Sequence, residues 1–202
     1  MKKLLSIAMA ASMLAACQKS NDTISTTYTV NDAVSKAEWK GSAPDHFHVG
    51  SFKVTGSLTA TDSGKLQTGD FIIPISSIQD YDLPDPVRQT LLADLRDNFF
   101  KIALHPDAKF HLTGTAPYTK ADTAAIAGAN TLLTGDFTML GQTHSISFPA
   151  KVSATADSIN TEAKFDINRY QWGMNNYNDS TQKLYILPTV NIRLSVKAGI
   201  KK

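Results

Sequence analysis

From Tyr28 onward, apolar and polar residues alternate with a period of two, the pattern of strands that bury one face. The last segment is the clearest. Leu184, Ile186, Pro188, Val190, Ile192, Leu194 and Val196 share one face, and Lys183, Thr189, Asn191, Arg193, Ser195 and Lys197 share the other. Pro188 cannot donate to a ladder, so a bulge or an edge is expected beside it. Ile159, Thr161, Ala163, Phe165 and Ile167 alternate in the same way. Leu133, Phe137 and Met139 run up to Leu140-Gly141-Gln142, and Ile146, Phe148, Ala150 and Val152 run away from it, which predicts a hairpin turning near Gly141. Phe47 and Val49 lie on one parity and Phe52, Val54 and Leu58 on the other, which predicts a bulge or sharp bend at Gly50. Leu66–Ile75 and Lys109–Thr115 bring the total to about eight strands.

One stretch breaks the alternation. Val87, Leu91, Leu92 and Leu95 form a helical stripe, with Asp85 placed to cap and Pro86 at the first helical position. The helix is expected to reach about Asp97, with Phe99-Phe100 following. Many strands with short turns and one helix predict an antiparallel barrel or sandwich. No internal repeat or low-complexity segment is found.

The N-terminus reads differently. Lys2 and Lys3 precede an apolar run from Leu4 to Ala16, broken only by Ser6 and Ser12. That run falls short of the ~20 residues that cross a bilayer and suits a signal-peptide core. It ends in Leu14-Ala15-Ala16-Cys17, which resembles the bacterial lipoprotein signal, in which the Cys is acylated and becomes the new N-terminus. The expected organisation is a leader over 1–16, a polar tether over 17–27 that carries lipidated Cys17, and one domain over 28–200. Two or three acyl chains would hold the protein at a membrane, where one chain binds only marginally. The expected location is the cell envelope, at the periplasmic face of the inner or outer membrane.

Composition narrows the function. The 202 residues are 42% hydrophobic and 19% charged, enough apolar content to bury a core. The formal charge is +2, and it falls to zero once Lys2 and Lys3 leave with the leader. A neutral chain without a basic run lacks the electrostatic footprint for nucleic acid. The single Cys excludes a disulfide scaffold and, if acylated, thiol catalysis. No G-x-S-x-G, Walker loop, G-x-G-x-x-G or H-E-x-x-H is present, and no enzymatic activity is expected. His46-x-His48 places two imidazoles on one strand face without a third metal ligand at a recognisable spacing, so no metal is assigned. Asp80, Asp82 and Asp85 read as a solvated acidic loop before the helix.

Six segments, in order, resemble the YceI-like family of periplasmic lipid-binding proteins. Trp39 is followed by His48-Val49-Gly50-Ser51-Phe52 and Gly56; then come Gly69-Asp70-Phe71-Ile72-Ile73-Pro74 and Leu91–Leu95 with Asn98-Phe99-Phe100. His105-Pro106-Asp107-Ala108-Lys109-Phe110, Gly135-Asp136-Phe137-Thr138-Met139-Leu140-Gly141-Gln142-Thr143-His144 and Ile167-Asn168-Arg169-Tyr170-Gln171-Trp172-Gly173-Met174 complete the set. His105 and His144 stand where the family commonly has Lys, and Trp172 where it has Phe.

This resemblance, which spans about Tyr28 to Lys197, implies an all-β, eight-stranded, lipocalin-like barrel with one short helix. It implies a membrane-anchored carrier for a long-chain amphiphile, such as a polyisoprenoid, a quinone-like lipid or a fatty-acid derivative, and no cofactor besides that ligand. The expected lining residues are Phe52, Phe71, Ile73, Phe110, Phe137, Phe148, Phe165 and Trp172. His48 and Arg169 are the expected polar positioning groups. Two alternatives stay open on sequence: a structural or stress-related envelope lipoprotein whose barrel is filled by its own side chains, and an enzyme or redox partner acting on quinones. A homodimer is also left open.

Overall fold

The computed structural model describes residues 25–200. The leader, Cys17 and most of the expected tether lie outside the described residues. The chain forms β1 (Ser25–Val30), β2 (Lys36–Ser42), β3 (Phe47–Lys53), β4 (Thr55–Thr61), β5 (Leu66–Pro74), β6 (Gln79–Asp80), α1 (Val87–Asp94), β7 (Asp107–Pro117), β8 (Thr131–Met139), β9 (Gln142–Ala154), β10 (Ser158–Asn168) and β11 (Thr189–Gly199). All pairings are antiparallel, in the order β1-β4-β5-β7-β8-β9-β10-β11, and β11 pairs back onto β1. The sheet therefore closes into an eight-stranded barrel, which leaves none of these strands with an open edge along its full length. The larger strand count has a simple origin. The chain bends between β1 and β2 and between β3 and β4, and β2 and β3 continue the wall beside β11. β6 adds two residues onto β3.

The registers sort the connections to two ends. Ser25, the β4–β5 turn, the β7–β8 loop, the β9–β10 turn and Gly199 lie at one end, the lower. The β2–β3 turn, α1, the β8–β9 turn and the long segment between β10 and β11 lie at the other, the upper. β8 and β9 join through Leu140-Gly141, both at positive φ, as the alternation predicted.

Three local expectations change. First, Gly50 is not a bulge: β2–β3 pairing runs unbroken through Trp39↔Gly50. Phe47 and Val49 face outward, with Lys40 Nζ 4.0 Å over the Phe47 ring, and the inward row on β3 is His48, Gly50 and Phe52. Glycine is needed at 50 because the backbone of β6, paired alongside, comes too close; a Cβ there would lie 1.8 Å from the Gln79 carbonyl oxygen. Gly50→Ala should therefore displace β6 and destabilise the fold by about 1–3 kcal/mol, the range for a forced overpacking, which denaturant unfolding would measure. Second, the final strand starts at Thr189, after Pro188, and not at Leu184. Pro188 accepts from the Arg169 N–H at 2.9 Å and ends the upper loop. Third, Asp85 does not cap α1. Its carboxylate is taken by the Arg88 guanidinium (2.7 and 3.2 Å) and the Gln89 amide. The helix continues beyond Asp94 as one π-helical turn, Leu95–Phe99.

Candidate ligand cavity

The inward rows do not meet in the middle. Tyr28, Leu58, Ala60, Leu112, Leu133, Ile159 and Ala163 pack tightly toward the lower end, each under 6% exposed. Higher up, Phe71, Ile73, Phe110, Ile146, Phe165 and Leu194 also belong to the core cluster, yet keep accessible surface. The space between them is a cavity of about 270 Å³. On β11 its lining runs from Val190 to Val196, about 20 Å of strand and about 15 Å along a barrel axis tilted ~40° to it.

A ring belt forms one wall. Phe71 on β5, Phe110 on β7, Phe148 on β9 and Phe165 on β10 follow one another, with centroids 6.2, 5.7 and 4.1 Å apart, the last pair stacked. β8 lies between β7 and β9, so Phe110 and Phe148 touch only because the β8 residue between them has no side chain. That residue is Gly135, where a Cβ would sit 2.3 Å from Phe110 Cζ. The upper end is covered by α1 and its π-helical turn. Leu91, Asp94, Leu95, Phe99 and Phe100 reach the cavity from there, and Phe100 meets Phe52 edge-on at 5.4 Å.

Of the residues singled out in the sequence, Phe52, Phe71, Ile73, Phe110, Phe137, Phe148, Phe165, His48 and Arg169 line this cavity. Trp172 does not, and the expectation is corrected. It is fully buried one layer out. Its indole N–H donates to the Phe137 carbonyl at 3.0 Å, and its ring packs edge-on against Phe137 and His144. It braces a wall residue and is not part of the lining.

Arg169 lies against the cavity, but its polar atoms point elsewhere. Nε donates to the Leu187 carbonyl (3.2 Å), Nη1 to Met174 (2.5 Å) and Nη2 to Ile186 (2.9 Å). Burial lowers its pKa from the ordinary arginine value, partly opposed by Tyr170 and Tyr185. The guanidinium thus ties down the segment between β10 and β11, and the role of positioning a ligand head is withdrawn from it.

His48 sits at the upper mouth with His46, their rings edge-on at 5.4 Å. His48 Nδ1 is 2.9 Å from Asp82 Oδ2, and the Val49 N–H donates to Asp82 Oδ1 at 2.8 Å. Burial pushes the Asp82 carboxyl up, but the Val49 N–H and the His48 contact outweigh it and hold the group below the usual carboxylate range. A depressed folded-state pKa adds stability above the unfolded value of ~3.9. That stability is lost as pH falls through the folded value. Asp82→Asn should flatten the part of the acid-unfolding profile below about pH 4, read by circular dichroism.

Residue selection from sequence missed Trp39, Leu95, Met174, Ile192 and Leu194, which also line the cavity. Ile192 and Leu194 lie on the same inward row as Val190 and Val196, so the alternation alone was signal enough. Trp39 has a distinctive feature: its indole Nε1 is buried with no hydrogen-bond partner.

The family profile for YceI-like domains matches residues 28–198. No curated protein matches the chain. Among solved structures, Burkholderia cenocepacia BcnA superposes with a TM-score of 0.65 at 17% identity, covering 83% of this chain and 98% of its own. A polyisoprenoid binding domain from Saccharophagus degradans, implicated in plant cell wall breakdown, gives 0.63 at 15% identity, covering 86% and 98%. A Campylobacter jejuni YceI protein gives 0.56 at 20%, covering 76% and 85%. These neighbours share the barrel fold, and the profile match spans most of the sequence: the chain belongs to the YceI-like domain family.

Proposed function

We propose that the protein binds and carries a single long-chain amphiphile, of the isoprenoid or acyl class, in the barrel cavity. The observation that carries this reading is the inward row that keeps open space above a closed lower end. A barrel stuffed with its own side chains would leave no such space. The lining is almost wholly apolar, which favours alkyl or prenyl chains over polar ligands. Each methylene moved from water into it contributes ~0.8 kcal/mol. About ten carbons along a cavity of this length give roughly 8 kcal/mol gross, before association and ordering costs. The relative described as a polyisoprenoid binding domain points the same way. Carriage needs no catalytic group, so no enzymatic step is assigned.

A polar terminus would rest at the mouth, where His46 and His48 line the cavity.

The anchoring expectation at Cys17 completes the proposal. Ser25 lies at the lower end, opposite the mouth, so a protein held through Cys17 would present its opening away from the anchored end. Replacing Cys17 with Ser should move the protein from the membrane to the soluble fraction.

The ligand test is a chain-length series. Prenyl alcohols of increasing length, titrated against a displaced fluorescent probe, should bind several-fold tighter per added unit until about ten carbons are inside, then level off. Affinity independent of chain length would reject the reading.

A further inference from the structure

We propose that His48, Asp80 and Asp82 form a divalent-cation site of the zinc type at the cavity mouth. One donor atom from each of the three lies within 4.8 Å of the others. Two are already close together: His48 Nδ1 and Asp82 Oδ2 are 2.9 Å apart. Donors bound at ~2.0–2.2 Å to one Zn²⁺ sit roughly 3–3.6 Å from one another. Asp80, within 4.8 Å of both, must close in by no more than about 1–2 Å to join them.

A second observation asks for a cation. Asp80 is only 4% exposed. Its Oδ1 accepts from the Leu83 N–H at 2.9 Å, while its Oδ2 is buried with no partner. Arg96 does not neutralise it; that guanidinium gives Nη2 to the Ile78 carbonyl and leaves its own Nε unpartnered. A buried carboxylate oxygen without a donor, beside a second carboxylate, is costly unless the pair takes up a proton or a positive charge enters, and a cation held by both carboxylates and His48 satisfies all three groups at once. Imidazole plus two carboxylates is a donor set that suits Zn²⁺ better than Ca²⁺, which prefers all-oxygen cages.

The scaffold holds these groups firmly. Asp80 lies in β6, paired across from Gly50, and the Tyr81 N–H donates to the Val49 carbonyl at 2.9 Å. The Val49 N–H fixes the Asp82 carboxylate from the outer side, the arrangement that orients ligands in built metal sites. His48 and Asp82 are each 28% exposed in their side chains, so an ion has a way in.

The test is calorimetric titration of ZnCl₂ into chelator-stripped protein. The expected result is one site per chain with a dissociation constant at or below the micromolar range, and a rise in melting temperature with ZnCl₂. Asp80→Asn keeps the acceptor for the Leu83 N–H, so it should fold and bind at least tenfold more weakly. His48→Gln should do the same, and it decides the matter if the Asp80→Asn protein unfolds. His111→Gln, on the outer wall beside Asp70, should bind as the parent does. No stoichiometric binding, Zn²⁺ affinity retained in both site variants, or tighter binding of CaCl₂ than ZnCl₂ would each overturn the proposal.

Discussion

Arg169→Met should lower the melting temperature by about 10 °C. Arg169 is 2% exposed and sends hydrogen bonds to the carbonyls of Met174, Ile186 and Leu187. Each bond from a charged donor is worth about 1.5–3 kcal/mol. Methionine fills much of the volume but offers no donor, so three carbonyls in the segment between β10 and β11 lose their partner. Some would find water once that segment loosens, which limits the net loss to about 3–5 kcal/mol. For a domain of this size each kcal/mol shifts the midpoint by about 2–4 °C. The loss should be local in character: hydrogen exchange should rise first at 174–188 and only later in the β7–β8 hairpin. Arg169→Lys should rescue little, because one ammonium cannot span three carbonyls held apart by a planar fork. A variant that melts within 2 °C of the parent would show that the guanidinium is dispensable.

Ile192→Trp is the counterpart in the cavity and should abolish long-chain binding without unfolding the barrel. Ile192 lines the cavity at mid-height on β11, paired with Phe165 on one side and Trp39 on the other. In a solid core the larger ring would force overpacking, at about 1–3 kcal/mol. Here it enters open space, so stability should change by less than about 1 kcal/mol. The space it takes is then denied to roughly four or five methylenes, which forfeits about 3–4 kcal/mol of burial. Affinity for a prenyl chain should fall more than a hundredfold. The pairing of the two results is decisive: unchanged melting with lost binding marks a hollow barrel, and a collapse in melting marks a filled one.

Much of the wall was legible in the residue pattern. Period two is a local property of a strand, and closing the sheet puts one parity inside everywhere. That is why Phe110, Phe137, Phe148 and Phe165 reach the cavity they were expected to reach. What sequence could not give is whatever depends on a distant partner. Trp172 follows Arg169 in a one-turn helix, not a strand, so parity said nothing about it, and its placement behind Phe137 is set by tertiary packing. The change of parity at Gly50 came from two outward residues, Phe47 and Val49; the true constraint was the close approach of the β6 backbone. Arg169 was expected to position a ligand head, but backbone carbonyls from a loop close in sequence take up its guanidinium. The acidic residues before α1 read as solvated, yet β6 carries Asp80 into the wall beside His48, more than thirty positions earlier in the chain. Spacing cannot reveal a cluster assembled by strand register.

The central claim is a hollow barrel that holds one greasy chain, and native mass spectrometry tests it most directly. The barrel domain, produced in bacteria and purified without detergent exchange, should ionise with one added mass per chain. Organic extraction should release that mass as a long-chain isoprenoid or acyl amphiphile, and the Ile192→Trp protein should fly without it. Apo protein alone, which stays apo when offered prenyl alcohols in excess, would contradict the account.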